Sequence, residues 1–514
     1  MTLRRILKVY VAQNVTQFLT VLTQLVLPPL FLHVFGTSLY GQWLTLSAAV
    51  SYISTLNYGV QTYTNMQMTI HYNRGEIQTC QEVQSAGFRI ILSAFLLWTL
   101  LLSTIFLMPL DHWLHLTMPL RSAQWALYFL GMQIMAITLF SFFSMSYMVF
   151  GEAHRGTHIG NLNYLLGLAA TVTCVVLRLP FGAIASAQVI VTLLLTIFLY
   201  FDLAHRAPLL RATLRHWPAG SFVAIVKPSA QYTLLAAQTF FAYQFPIVFM
   251  QRILGPSAVV VYSLTRTIYS MSRRSLNLIT YSLGPEVTLI YGQRDWRRLH
   301  RLYDLSERVV LLLVPPITFG FMLATPLFLW VWLHKENLYD PGISIMLGVG
   351  VSIIGIKEHK YQFQFSSNQI GKLSYFTFFS YMIMAGLSIP AMHTFGVFGF
   401  LSVLLICETV QLFYLLHLND LLFGDEAVAD HRGVYKLFAI LAGGTAFTYW
   451  PMYHIARLPY VAQGAIAFAT SIAFFALCYW VFHLDEVRGI LWQKVEGRIP
   501  ALASWRKQKP LPDA

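Results

Sequence analysis

Charge is scarce in this 514-residue sequence. Asp, Glu, Lys and Arg together make up 11% of it, against about 25% in an ordinary soluble domain. A soluble chain of this length would need polar surface that these residues cannot supply. Cysteine is scarcer still. Cys80, Cys174, Cys407 and Cys478 are scattered, three of them within apolar runs. No disulfide framework or metal cluster follows from that spacing, and neither metal nor other cofactor is expected. The net charge of +13 comes without a basic low-complexity tract, zinc spacing or any nucleic-acid motif, so nucleic acid is not an expected partner.

What is abundant is hydrophobicity, at 57% of the residues, with a mean hydropathy of +0.59. Apolar runs of about 20 residues, the length that crosses a ~30 Å hydrocarbon core as helix, recur from end to end. They predict an all-α polytopic membrane protein of about fourteen transmembrane helices. The spans are expected at 9–33, 40–68, 90–110, 122–150, 159–177, 181–202, 228–251, 257–284, 309–333, 342–365, 373–392, 396–418, 437–455 and 461–483. The first run is too long for a signal peptide and has no small-residue cleavage site, so it reads as a span.

With the N-terminus inside, five of the 34 Lys and Arg fall in external segments (Arg121, Arg178, Arg252, Lys335, Arg457) and five within spans. The other 24 are cytoplasmic, the asymmetry that sets orientation; both termini are expected in the cytoplasm. The external connections are short, which leaves no room for an external domain. Two cytoplasmic stretches, "HRAPLLRATLRHW" and "RDWRRLHRLYDLSER", read as basic amphipathic helices. Such helices are attracted to anionic headgroups, although orientation alone could account for their charge.

The chain also repeats itself. "FGTS" (35–38) ends the first span and "LGPS" (254–257) the seventh; "HYNRGE" (71–76) follows the second and "IYGQRD" (290–295) the eighth. One offset of 219 residues superimposes both pairs without a gap. Two pseudo-symmetric six-helix lobes are implied, the parallel-repeat arrangement of transporters. They are expected at 1–215 and 216–420, with two additional spans and a basic tail in 421–514.

Charges inside the membrane are costly and usually face a cavity or a partner. The eighth span carries Arg266, Arg273 and Arg274, with Arg266 and Arg273 seven apart on one face. Arg273 and Arg274 could instead snorkel to the interface. The tenth span ends in Lys357, Glu358, His359 and Lys360, one after another. Stopping the helix at Ile356 would leave it about 22 Å long, short of the ~30 Å core. Continuing it to Phe365 gives about 36 Å and puts Lys357 and Lys360 inside, where they are expected to line a polar cavity. Glu408, in the twelfth span, either titrates or pairs with a lysine of the tenth. Spans one and two add uncharged polarity, including Asn14, Asn57, Tyr58 and Gln61, which could equally be interhelical glue.

Two stretches carry a family resemblance: "NVTQFLTVLTQLVLPPLFLHVFGTSLYGQWLTLSAAVSYISTLNYGVQ" and "FGVFGFLSVLLICETVQL". The small turn after span one, the Tyr-Gly-x-Trp opening of span two and the glycine-punctuated twelfth span resemble the multidrug/oligosaccharidyl-lipid/polysaccharide exporter superfamily. Within it they resemble the polysaccharide-biosynthesis (O-antigen type) lipid-linked oligosaccharide flippases. The resemblance implies no enzyme and no catalytic residue. It implies translocation of an undecaprenyl-pyrophosphate-linked glycan across the bacterial cytoplasmic (inner) membrane by alternating access. Arg266, Arg273 and Arg274 would hold the pyrophosphate, supported by Lys357 and Lys360, because guanidinium suits such anions. Asn14, Asn57, Tyr58 and Gln61 would meet sugar hydroxyls, and other polysaccharide-synthesis membrane proteins are possible partners. Relatives often carry a carboxylate where this chain has Asn57, which leaves Glu358, His359 and Glu408 as the candidates for ion coupling.

The alternatives are a cation-coupled multidrug exporter, which needs cavity carboxylates that span one lacks, and a peptidoglycan-precursor flippase, which sequence separates poorly. A polymerase or ligase would need an external catalytic constellation, and the short external connections carry none. A scaffold would have no use for three arginines inside one span.

Overall fold

The computed structural model describes residues 3–482 apart from 209–224, scattered positions between 227 and 236, 285–286, 288–289, 292, 335–337, 368, 370 and 424–429. The described residues are almost entirely helical, with no strand among them. In hydrocarbon every backbone N–H and C=O must be satisfied within the segment, and these apolar runs do so by coiling.

In chain order the helices are α1 Leu3–Val50, α2 Tyr52–Asn73, α3 Ile77–Ser103, the short α4 Leu110–Leu114, α5 Leu120–Ser146, α6 Ala153–Val176, α7 Phe181–Arg206 and α8 Phe245–Leu254. There follow α9 Pro256–Ser282, α10 Trp296–Leu333, α11 Pro341–Ser366, α12 Gly371–Phe423, α13 Arg432–His454 and α14 Tyr460–Val481. A π turn, Phe240–Gln244, leads into α8. Among the described residues nine helices are long and apolar enough to cross a membrane. α1 and α12 are broken at Gly36 and Gly396, where the backbone leaves the helical region. Each expected span falls on a described helix, the seventh only in its later part. The chain is a polytopic, all-α membrane protein.

Proline and carboxylate mark the helix starts. Pro119, Pro180 and Pro459 immediately precede α5, α7 and α14. Asp340 caps α11 by accepting from the Ile343 N–H at 2.9 Å, with Pro341 as the first helical residue. Proline loses nothing there, since the first N–H groups have no helical partner.

The repeat is legible in backbone geometry. Gly36 (φ 75°, ψ 177°) and Gly255 (φ 85°, ψ 176°), 219 residues apart, share a conformation essentially reserved for glycine. Gly75 and Arg294, again 219 apart, both have positive φ. α3 starts at Ile77 and α10 at Trp296, the same offset. The hydrogen bonds repeat as well. The Glu76 N–H donates to the His71 carbonyl (3.0 Å) as Asp295 N–H does to Ile290 (3.4 Å), and Cys80 N–H donates to Glu76 as Leu299 does to Asp295, both at 3.0 Å. The two turns share one geometry although their side chains differ. Because a Cβ at Gly36 or Gly255 would meet open space, replacing either with Ala should cost only backbone strain, about 1–3 kcal/mol. Gly443→Ala, in a helix interior with equally open space, should stabilise by about 1 kcal/mol. Thermal unfolding in detergent would compare them; equal shifts for all three would contradict the assignment of strain.

Two expectations change. The expected start of the third span, 90, and that of the ninth, 309, are both thirteen residues late. In consequence "RDWRRLHRLYDLSER" is not a separate surface helix but the first turns of α10. Its apolar side faces protein: Leu299 and Tyr303 are fully buried against Val287, Ile290, Phe363 and Phe423. The other basic stretch, "HRAPLLRATLRHW", lies mostly outside the described residues.

The chain divides into two compact units. Unit 1 holds residues 1–264, 332–334 and 374–404; unit 2 holds 265–331, 335–373 and 405–514. In unit 1 the turn after the first span is fixed by an aromatic cluster. Trp43 stacks on Phe31 (5.4 Å between ring centroids) and meets the edge of Phe181 (5.2 Å), which gives the Tyr-Gly-x-Trp pattern its packing role. Elsewhere large apolar side chains point outward, such as Leu97 and Leu100 on α3, as a lipid-facing surface requires.

Candidate functional site

Helix α11 continues through its four ionisable residues to Ser366, so they do not mark a helix end. Successive residues on a helix point about 100° apart, and here the four residues meet three different helices. Lys357 pairs with Glu408 on α12 and donates to Gln411 Oε1 at 2.9 Å. Glu358 accepts from Arg273 on α9 at 2.8 Å. His359 and Lys360 both meet α10. Lys360 Nζ lies 2.7 Å from Glu307 Oε2 and 3.9 Å from the centre of the Tyr303 ring. His359 Nε2 lies 2.8 Å from Ser306 Oγ. Because the Ser306 hydroxyl donates to the Leu302 carbonyl (2.6 Å), Nε2 must carry a proton. The run is therefore three complementary ion pairs and one hydrogen-bonded histidine, pinning α11 to three neighbours.

Burial separates these groups. The Lys360 and Glu408 side chains are 0% exposed and Glu307 5%, so their charges are neutralised in a packed polar core. Glu307 Oε1 meets no hydrogen-bond partner among the described residues, and Glu307 borders a pocket of about 260 Å³ with Asp304 and Arg308. Glu358, His359 and Glu408, the coupling candidates, are thus each held by a named neighbour.

The arginines of α9 stand differently. Arg266 lies ten residues, about 15 Å, from the helix start and is half-buried. Arg273 is engaged by Glu358. Arg274, also half-buried, has a buried Nη1 that meets no hydrogen-bond partner among the described residues. α9 and α11 together carry five basic residues, Arg266, Arg273, Arg274, Lys357 and Lys360, against the three carboxylates in their ion pairs. Of these five, Arg274 on α9 has a buried nitrogen that meets no hydrogen-bond partner among the described residues.

The uncharged candidates belong to unit 1. Asn14 is exposed on α1. Gln61 is buried on α2, its amide against Met145 Sδ at 3.2 Å. Asn57 and Tyr58 lie on α2, but their side chains are outside the described residues. Sequence reasoning missed Glu307 and Ser306, because the ninth span was expected to start beyond them. The signal was the stripe Leu299, Tyr303, Ser306, Val310, spaced three and four apart and buried throughout.

No family model matches the sequence. No curated protein matches it either. Solved structures do. The inward closed conformation of the lipid II flippase MurJ aligns with a TM-score of 0.67 at 12% identity, covering 95% of this chain and 100% of that one. The chain shares the fold of MOP-superfamily transporters. An inward-facing multidrug resistance MATE family transporter of that superfamily aligns at 0.63 and 15% identity, covering 79% of this chain and 99% of its own. An outward-facing MATE structure aligns at 0.56 and 14% identity, covering 81% and 94%.

Proposed function

We propose that this protein flips an undecaprenyl-pyrophosphate-linked oligosaccharide across the cytoplasmic membrane by alternating access, for cell-surface polysaccharide synthesis. The observation that carries the reading is Arg274 on α9, whose buried Nη1 lacks a hydrogen-bond partner among the described residues. A cation inside a membrane protein is retained for an anion, and a lipid pyrophosphate offers several acceptor oxygens for planar donors. Arg266, Arg273 and Arg274 hold that group; Lys357 and Lys360, already matched by Glu408 and Glu307, hold the helices around it. The fold adds weight. The flippase alignment covers 95% of this chain, against 79% for the inward-facing multidrug transporter. A carrier of cationic drugs would need the opposite charge.

The test is flipping of a fluorescent undecaprenyl-pyrophosphate oligosaccharide in reconstituted vesicles. Each of Arg266→Gln and Arg274→Gln should slow transport by about 10- to 100-fold, the worth of one charge-assisted hydrogen bond, with thermal stability kept. Transport undiminished in the double variant would remove the arginines from the site. Failure of the wild type with every glycan tried would remove the function.

A further inference from the structure

Unit 1 contains a cavity of about 400 Å³ between α1, α5, α6 and α7, within the range of ligand pockets. Its chemistry differs from that of the α9 arginines. Amides and hydroxyls, among them Gln133, Ser141, Asn163 and Gln188, share its lining with Leu27, Ile137, Phe140 and Leu168, and no Asp, Glu, Lys, Arg or His is among its described lining residues. One end is tied by Thr16, which donates to Asn161 Oδ1 at 2.6 Å, while the Asn161 amide donates to the Ala12 carbonyl at 2.9 Å. The other is tied by Gln188, donating to Thr171 Oγ1 at 2.5 Å. Between them Asn163 Oδ1 is buried with no partner among the described residues. The floor is bare helix. Gly160 and Gly167, about 10 Å apart along α6, both line the cavity, and a Cβ at either would meet nothing within 4 Å. Tyr164 stands between them, half exposed.

We propose that this cavity is a saccharide-binding site, and, resting on the flippase reading, that it receives the neutral sugars of the lipid-linked substrate. A charged ligand would find no counter-charge there. An apolar ligand would leave Asn163 Oδ1 unpaired, at the cost of a lost hydrogen bond. A neutral polyol satisfies donors and acceptors in both directions, lies close against a helix without side chains, and offers its C–H face to the Tyr164 ring.

The experiment uses the full chain. Saturation-transfer NMR in detergent would take a panel of free, neutral tetrasaccharides of glucose, galactose and N-acetylglucosamine; the flipping assay would run beside it. The variant is Gly160→Leu/Gly167→Leu, which projects side chains into the cavity from Cβ positions with nothing within 4 Å, and its thermal stability is measured beside wild type. Tyr164→Ala is the second variant. Wild type should show transfer to at least one tetrasaccharide, and both variants should weaken binding at least about tenfold. Arg266→Gln/Arg274→Gln should leave free-sugar binding unchanged while lowering flipping. Saccharide bound in the cavity with no flipping of any lipid-linked glycan by wild type would keep this site and overturn the flippase reading. Flipping that the arginine variants abolish but the filled cavity leaves untouched, with no saccharide transfer in wild type, would overturn the site and identify the cavity as water-filled.

Discussion

Lys360→Met should destabilise the protein by about 3–5 kcal/mol, the cost of removing one partner from a buried ion pair. Methionine fits the length of the lysine stem, so little packing is lost. What remains is the Glu307 carboxylate, 5% exposed and without the ammonium 2.7 Å away, its other oxygen already unpartnered among the described residues. The Tyr303 ring also loses the cation above it, a smaller loss of about 0.5–2 kcal/mol. Adding Glu307→Gln should recover most of the stability, because a neutral amide is far cheaper to bury than a lone charge. A double-mutant cycle read by thermal unfolding in detergent separates the possibilities. If the double variant is less stable than Lys360→Met by the full cost of Glu307→Gln, the two residues act independently and the pair is not what holds α10 to α11.

How much of this was legible without coordinates follows from what hydropathy can register. The apolar runs each fell on a described helix, the seventh only in its later part, and the matched landmarks at Gly36/Gly255 and Tyr72/Tyr291 marked two turns of like geometry, because a turn reserved for glycine shows in composition as well as in shape. The starts of α3 and α10 were not legible. Their first turns are polar, yet Cys80, Gln84 and Ser85 on α3 are as buried as Leu299 and Tyr303 on α10. Polar residues that bury against other helices look like loop to a hydropathy window, and both copies of the repeat mislead it at the same offset. Reading Glu307 as part of a basic helix on the membrane surface hid the partner of Lys360. Glu408, an acid alone in an apolar run, could be seen. The cavity beside α6 was hidden for a different reason. Its amides, hydroxyls and glycines are unremarkable singly, and only their common face, with Gly160, Tyr164 and Gly167 in register, sets them apart.

Reversing the Lys357–Glu408 pair should have the largest effect of all, and undoing it is the informative step. Glu408→Lys alone places two ammonium groups together where the carboxylate is 0% exposed. Repulsion in that environment adds to the loss of the pair, and the sum approaches the whole stability of a typical domain, about 5–15 kcal/mol. No folded protein should be recovered. Adding Lys357→Glu restores opposite charges with the signs exchanged. Gln411 can serve either arrangement: its Oε1 now accepts from Lys357 at 2.9 Å, and a rotated amide would donate to the new carboxylate instead. The double reversal should therefore fold, within about 1–2 kcal/mol of wild type. Transport decides what the pair is for. If α9 supplies the cation that the pyrophosphate needs, the reversed pair should transport at a rate within a few-fold of wild type, the opposite of Arg274→Gln. A reversed protein that folds but does not transport would mean that the sign of the charge on α11 is itself read by the substrate. Lys357 would then belong with Arg266 and Arg274, and Glu408 would be the group that releases it.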